Sequence, residues 1–387
     1  MAATARPTAA RITMTTSHAR SFVGVGLFAV AACSNHATAN GDDGGSDPAA
    51  DVAQWNQMTT ALDARRSEFL GKDVQELSPV GDRVFWYDTT RFDFALAQYN
   101  HATNTRLAYT FSVGAGDGHN YRASASLVVT AEPGSDPVRY HAYDTGAPDS
   151  EIATTTVPKQ PGAQWASYAV SNATVYIVDS SVAGQTTLLR WVPGQPPAAM
   201  FTLESLGVAV GEFQDFDVDG STMVFIESGR IWKLDLTSRV ATSLMNRSEV
   251  NGAVEFRSDG VMFETATGVM FYGYSQGQLV NVRDQINANS FQINPTFATA
   301  AHYLQGFTRW QSFVIYIGNG GVFAYDLPHD RIAPIVLSPD RSDLRVDYRY
   351  PVALDDGTLF VTGLTSTSGA TGADGPTYRI DLPSVLN

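Results

Sequence analysis

From Val74 to the C-terminus the chain reads as short runs in which apolar residues alternate with polar ones or cluster briefly, separated by Asp-Gly, Ser-Asn, Gly-Asn-Gly and Pro-Gly turns. Period-two alternation is the pattern of strands with one buried face, and no long stretch here keeps the 3.6-residue period of a helix. The clearest unit is 213–245. It divides into an inner strand, a turn at Asp219-Gly220, a strand from Thr222 to Glu227, a turn at Gly229, a strand from Arg230 to Leu236 and an outer strand from Val240 to Leu244. Four short strands joined by tight turns make one blade of a β-propeller.

The third strand of this unit recurs along the chain. Segments of its type end at Gln98, Asp144, Val192, Asp235, Tyr274, Asp326 and Asp381, about 47 residues apart on average, as expected for blades whose loops vary in length. The pattern predicts an all-β fold: seven four-stranded blades within residues 72–387, with six or eight blades or a pair of β-sandwiches as alternatives. After Leu382 only Pro383-Ser384-Val385-Leu386-Asn387 remains, too little for a fourth strand. An open ring would leave two unpaired edges, so a segment around Ser67 to Leu77 is expected to complete the seventh blade.

Upstream the period changes. Asp47 and Pro48 have the character of an N-cap and first helical residue, and Val52, Trp55, Met58, Leu62 and Phe69 follow at near-helical spacing, which predicts a short helix over 51–71. Residues 34–50 are polar, rich in Gly and Asp and without periodicity, as a flexible tether would be.

The hydrophobic content of 44%, with 33 Gly and 18 Pro, excludes a disordered chain and a coiled coil. The formal charge of -14 leaves no basic stripe to neutralise a phosphate backbone, so nucleic acid is not an expected partner.

The N-terminus carries the most specific motif. Arg6, Arg11 and Arg20 precede an apolar run from Phe22 to Ala32, which has the length of a signal-peptide core and is too short to span a bilayer. The run ends in Val30-Ala31-Ala32-Cys33, and Cys33 is the single cysteine of the chain. This ending resembles the lipobox of bacterial lipoproteins. The resemblance implies a signal peptide over 1–33, cleavage before Cys33, a lipid anchor on its thiol and a location in the cell envelope. Ser34 after the cysteine favours the outer over the inner membrane. Met14 would serve as an alternative start, and an ordinary secretory signal with an incidental Cys33 is the competing reading. Over about 310 residues the repeat pattern resembles seven-bladed propellers of the broad bacterial Tol-system, YVTN and NHL-like class. It lacks their specific signatures, so the resemblance implies architecture and no activity.

Candidate chemistry is sparse. Gly273-Tyr274-Ser275-Gln276-Gly277 matches the G-x-S-x-G nucleophile elbow, but it joins two strands where an elbow needs a following helix. Asp215, Asp217 and Asp219, followed by Gly220, open like a calcium loop, although the later ligands are missing. Asp117, His119 and Asn120 lie in a Gly-rich stretch read as an inter-blade loop. Two further segments depart from the blade template and are read as recognition loops: Val282 to Ala301 with Arg283 and Asp284, and Ser338 to Tyr350 with Arg345, Tyr348 and Tyr350. The expected function is a membrane-anchored envelope lipoprotein whose acidic propeller binds a protein or glycan, with no cofactor other than calcium considered. The alternative is a hydrolase or lyase acting on envelope polysaccharide or peptidoglycan fragments, with channel carboxylates such as Asp215, Asp217 or Asp355 doing acid–base work.

Overall fold

A computed structural model describes residues 67–68, 74–88, 95–112, 121–132, 135–158, 167–208, 213–227, 230–257, 260–265, 268–274, 277–282, 306–318, 321–329, 331–337, 344–367 and 373–386. Cys33, the tether and residues 51–66 lie outside these, as do Asp117, His119, Asn120, Arg283 and Asp284.

The described strands form seven antiparallel sheets of four strands each. In the ring, the inner strands are Val74–Val80, Tyr121–Ala123, Tyr168–Ser171, Phe213–Asp219, Val250–Arg257, Phe307–Trp310 and Leu344–Ala353, for blades 1 to 7 in chain order. From blade 2 to blade 7 the inner strands of successive blades pack against one another, that of blade 7 packs against that of blade 1, and blades 1 and 2 meet through their outer strands, Thr105–Ser112 and Ala147–Val157, which closes the circle. All seven recurrences of the third-strand motif fall on third strands.

Central strands read as continuous apolar runs because each is covered on both faces by neighbouring blades. The second strand of blade 6, Phe313–Gly318, shows this alternation. Val314 and Tyr316 pack with Met262 and Phe271 of blade 5. Ile315 and Ile317, one step along, pack with Leu359 and Val361 of blade 7.

The last blade is completed from the N-terminal side. Its sheet runs Leu344–Ala353, Thr358–Thr367, Ala373–Asp381, then Ser67–Glu68 at the outer edge. Ser67 pairs with Arg379 and Glu68 with Tyr378. Ser67 and Glu68 thus form a strand within the stretch expected to be helical. On the neighbouring blade, His101 reaches Asp356 at 3.0 Å and the Thr358 hydroxyl at 3.2 Å, a second tie between first and last blades. The chain then turns through a short helix, Pro383–Leu386, whose Val385 and Leu386 pack on the core between blades 6 and 7.

The structure also corrects the expected recognition loop over Ser338 to Tyr350: Arg345, Tyr348 and Tyr350 belong to the inner strand of blade 7, where Arg345 pairs with Ser366, Tyr348 with Gly363, and Tyr350 falls in the bulge before Val352. The cause lies in the segment itself, because Leu344, Val346, Tyr348 and Tyr350 alternate with charged residues at the two-residue period of a strand. Residues 338–343 are outside the described residues. No helix among the described residues is long and apolar enough to cross a membrane.

Candidate functional site

The inner strands of blades 1, 3, 4 and 6 pass to their second strands through two-residue turns, flanked by the pairs Val80/Arg83, Ser171/Thr174, Asp219/Thr222 and Trp310/Phe313. In each, the first turn residue takes positive φ, at 60° for Gly81, 53° for Asn172, 56° for Gly220 and 53° for Gln311. Glycine suits this conformation, Asn tolerates it, and a glutamine there is strained by roughly 1 kcal/mol or more. Two of these four equivalent turns therefore carry an amide side chain where glycine would be easier.

These turns surround the axis and enclose a cavity of about 390 Å³ whose described lining residues come from six blades. Its polar groups include Ser124, Asn172, Asp219, Arg309, Gln311 and Asp355. Hydrogen bonds between blades hold the rim. The Ser124 hydroxyl of blade 2 donates to the Asn172 carbonyl of blade 3. The Gly220 amide of blade 4 donates to the Ser171 hydroxyl of blade 3 at 3.2 Å. Between blades 6 and 7, the Ala353 amide donates to Thr308 Oγ1 at 3.1 Å and Trp310 Nε1 donates to the Asp355 carbonyl at 3.4 Å. Within blade 6, Arg309 Nε donates to the Gln311 carbonyl at 3.0 Å, which orients the guanidinium. Bonds that cross from blade to blade preorganise the mouth, because no single turn can shift alone.

Below the mouth the channel carries titratable and charged groups. On the inner strand of blade 4, Phe213, Phe216 and Val218 belong to the inter-blade core, and Asp215, Asp217 and Asp219 occupy the alternate positions. Arg122 of blade 2 lies 3.9 Å from Asp215 of blade 4, and since blade 3 separates them the pair bridges the channel. Burial pushes the Asp217 carboxyl up to about 7. Arg122 and the Val218 amide oppose the rise, and Asp215 and Asp219 add to it. Burial also raises Asp219. Glu255 of blade 5 is raised by burial too, against the pull of Arg257 and with a contribution from Asp215. From Asp219 at the mouth to Asp217 is two residues along one strand face, about 7 Å.

The sequence-predicted residues thus divide. Asp219 and Asp355 line one cavity, and Asp215 and Asp217 lie on the same strand as Asp219. Arg345, Tyr348 and Tyr350 sit on the inner strand of blade 7. Asp215, Asp217 and Asp219 form a strand, not a loop, and among the described residues no cluster of three or more His, Cys, Asp or Glu could hold a metal ion. The Gly273 to Gly277 segment lies between two antiparallel strands, and Gly277 N–H donates back to the Gly273 carbonyl at 2.9 Å. Sequence reasoning missed Asn172, Arg309 and Gln311 by looking for long loops. The available signal was an amide residue at the turn position that glycine fills in other blades.

No protein-family model and no curated protein sequence matches the chain. Solved structures do, at low identity. A prolyl endopeptidase structure is 11% identical, with a TM-score of 0.47, matching 86% of this chain and 55% of that one. The β-propeller domain of the Trilobed protease from Pyrococcus furiosus is 12% identical, with a TM-score of 0.47, over 69% of this chain and 82% of that one. PorZ, a bacterial surface component of the type-IX secretion system of Porphyromonas gingivalis, is 11% identical, with a TM-score of 0.44, over 80% of this chain and 39% of that one. The chain therefore spans about half the length of the endopeptidase it matches and less of PorZ.

Proposed function

We propose that this protein is a recognition module of the bacterial cell envelope, anchored through lipid on Cys33, that binds a protein or glycan at the mouth of its propeller channel. The observation that carries the binding reading is the mouth itself. It is a cavity of about 390 Å³ whose described polar lining comes from five blades and whose rim is tied by hydrogen bonds between blades. Rigid, concave and mixed in polarity, it has the character of a preformed binding site. The anchor is supported by the Val30 to Cys33 motif and the polar tether that follows. It is tested by fatty-acid labelling in a diderm host, where Cys33→Ser should lose both label and membrane fractionation.

Binding is tested by probing the full chain on glycan and peptide arrays beside Gln311→Trp, which fills the mouth from its rim. Ligands retained by the parent and lost by the variant support the reading. An array without signal, or signal that the variant keeps, refutes it. A catalytic reading draws on one observation, the Asp217 carboxyl held near neutrality, where a general acid or base works best. It predicts release of fragments from peptidoglycan or envelope polysaccharide by the parent and none by Asp217→Asn. Binding is preferred because Asp217 lies beneath the cavity lining and not within it.

A further inference from the structure

The walls and charges of the mouth define its ligand more closely, taking the mouth as the binding site proposed above. The apolar part of that lining is small, with Val80 and Ala123 half-buried and Val170, Val218 and Ala353 buried in the cores between blades. No aromatic side chain is among the described lining residues. A sugar ring usually stacks on such a flat face, whereas the flexible stem of a lysine or arginine needs only a narrow opening with polar groups at its far end.

The charges agree. Two carboxylates, Asp219 and Asp355, line the cavity against one guanidinium, Arg309. One level down, Arg122 is taken by Asp215 across the channel, and Arg257 faces Glu255 on its own strand. Among the described residues Asp217 and Asp219, on one strand face, form no salt bridge. Only burial acts on Asp219, and for Asp217 burial outweighs the pull of Arg122. Partly dehydrated carboxylates without a matching cation cost free energy that a ligand cation would recover.

We infer that the mouth captures a lysine or arginine side chain projecting from a loop of a partner protein, its stem passing Val80 and Ala123 and its charge against Asp219 with Asp217 beneath. The side-chain amides of Asn172 and Gln311, at the rim, meet the backbone of that loop. Because Asp217 and Asp219 must ionise to hold a cation, binding tightens as pH rises through neutrality. The groups that face Asp217 in this titration are Asp215, Asp219, Arg122 and the Val218 amide.

The test is selection of disulfide-closed random peptides on the full chain, with Gln311→Trp used to remove peptides that bind elsewhere. The proposal expects a basic residue enriched at the loop tip of the surviving peptides. Replacing it with norleucine should weaken binding at least tenfold, Asp219→Asn should do the same while its melting temperature shows a folded ring, and affinity should rise from pH 6 to pH 8. Mouth-dependent peptides without a basic residue, or ones that tolerate norleucine, overturn the basic-ligand inference and leave a binding mouth in place. No mouth-dependent peptide at all, with mouth-dependent glycans on the array, overturns the protein partner in favour of a glycan. Failure on both supports overturns the binding reading itself.

Discussion

Removing the charge of Asp217 should make the protein more stable, and the gain should depend on pH. The carboxyl is displaced from 3.8 to about 7 by burial. Between those values the native state holds a proton that the unfolded state has released, so stability falls as pH rises through this window and levels off above about 7. At about 1.36 kcal/mol per unit, a displacement of roughly three units sets a ceiling of about 4 kcal/mol. The side chain is half-buried, so about 1–2 kcal/mol is the expected size. Asp217→Asn removes this titration. Parent and variant should melt close together at pH 4, and the variant should gain on the parent as pH rises, reaching about 2–4 °C at pH 8. Thermal unfolding of both proteins from pH 4 to pH 8 reads this directly, and taking the difference cancels the other titrating groups. A difference that stays flat with pH, or a variant less stable at pH 8, would refute the reasoning. The same substitution should weaken capture of a basic ligand, since the charge that strains the channel is the one proposed to hold it.

Three further outcomes follow from the packing. Phe225 is fully buried between Phe213 and Trp232, with ring centroids 6.0 and 6.3 Å away and planes within 13° and 10° of parallel; Phe225→Ala should cost about 3–5 kcal/mol by chemical denaturation. Gly357 has φ +87°, and a Cβ there would lie 2.5 Å from Pro383 Cδ and 3.0 Å from Trp310 Cζ2. Gly357→Ala should therefore cost about 1–3 kcal/mol and open the C-terminal turn to carboxypeptidase, and an unchanged digestion rate would contradict that packing. Arg122→Met removes the cation that holds Asp217 down, so the Asp217 titration followed by carboxyl carbon NMR should move higher; an unchanged or lower midpoint would show that Arg122 does not act on it.

The ring was legible in the sequence because its cause is local. Each third strand carries an aromatic or aliphatic pair that must fill the gap to the next blade, so segments such as Ile231–Asp235 and Val322–Asp326 repeat visibly. Closure was legible for a different reason, since a last blade with three strands demands a fourth from elsewhere, and Ser67–Glu68 supplies it. The site was half legible. Asp215, Asp217 and Asp355 were candidate channel carboxylates, but the sequence could not show that Arg122, about 90 residues away, meets Asp215 across the axis. Asn172 and Gln311 escaped notice because their role comes from the turn geometry, where positive φ at a non-glycine residue marks the rim. The inner strand of blade 7 was mistaken for a loop because its charges, Arg345, Asp347 and Arg349, occupy every second position of a strand otherwise expected to be apolar.

The central claim is that ligands enter at the channel mouth. It is tested most directly by placing a photo-crosslinking amino acid at position 311 on the rim and, as a control, at position 240 on the exposed outer strand of blade 4, in the full chain expressed in a diderm envelope. The account predicts a discrete adduct from position 311 that Asp219→Asn diminishes, and none from position 240. Equal labelling from both positions, or adducts from position 240 alone, would contradict it.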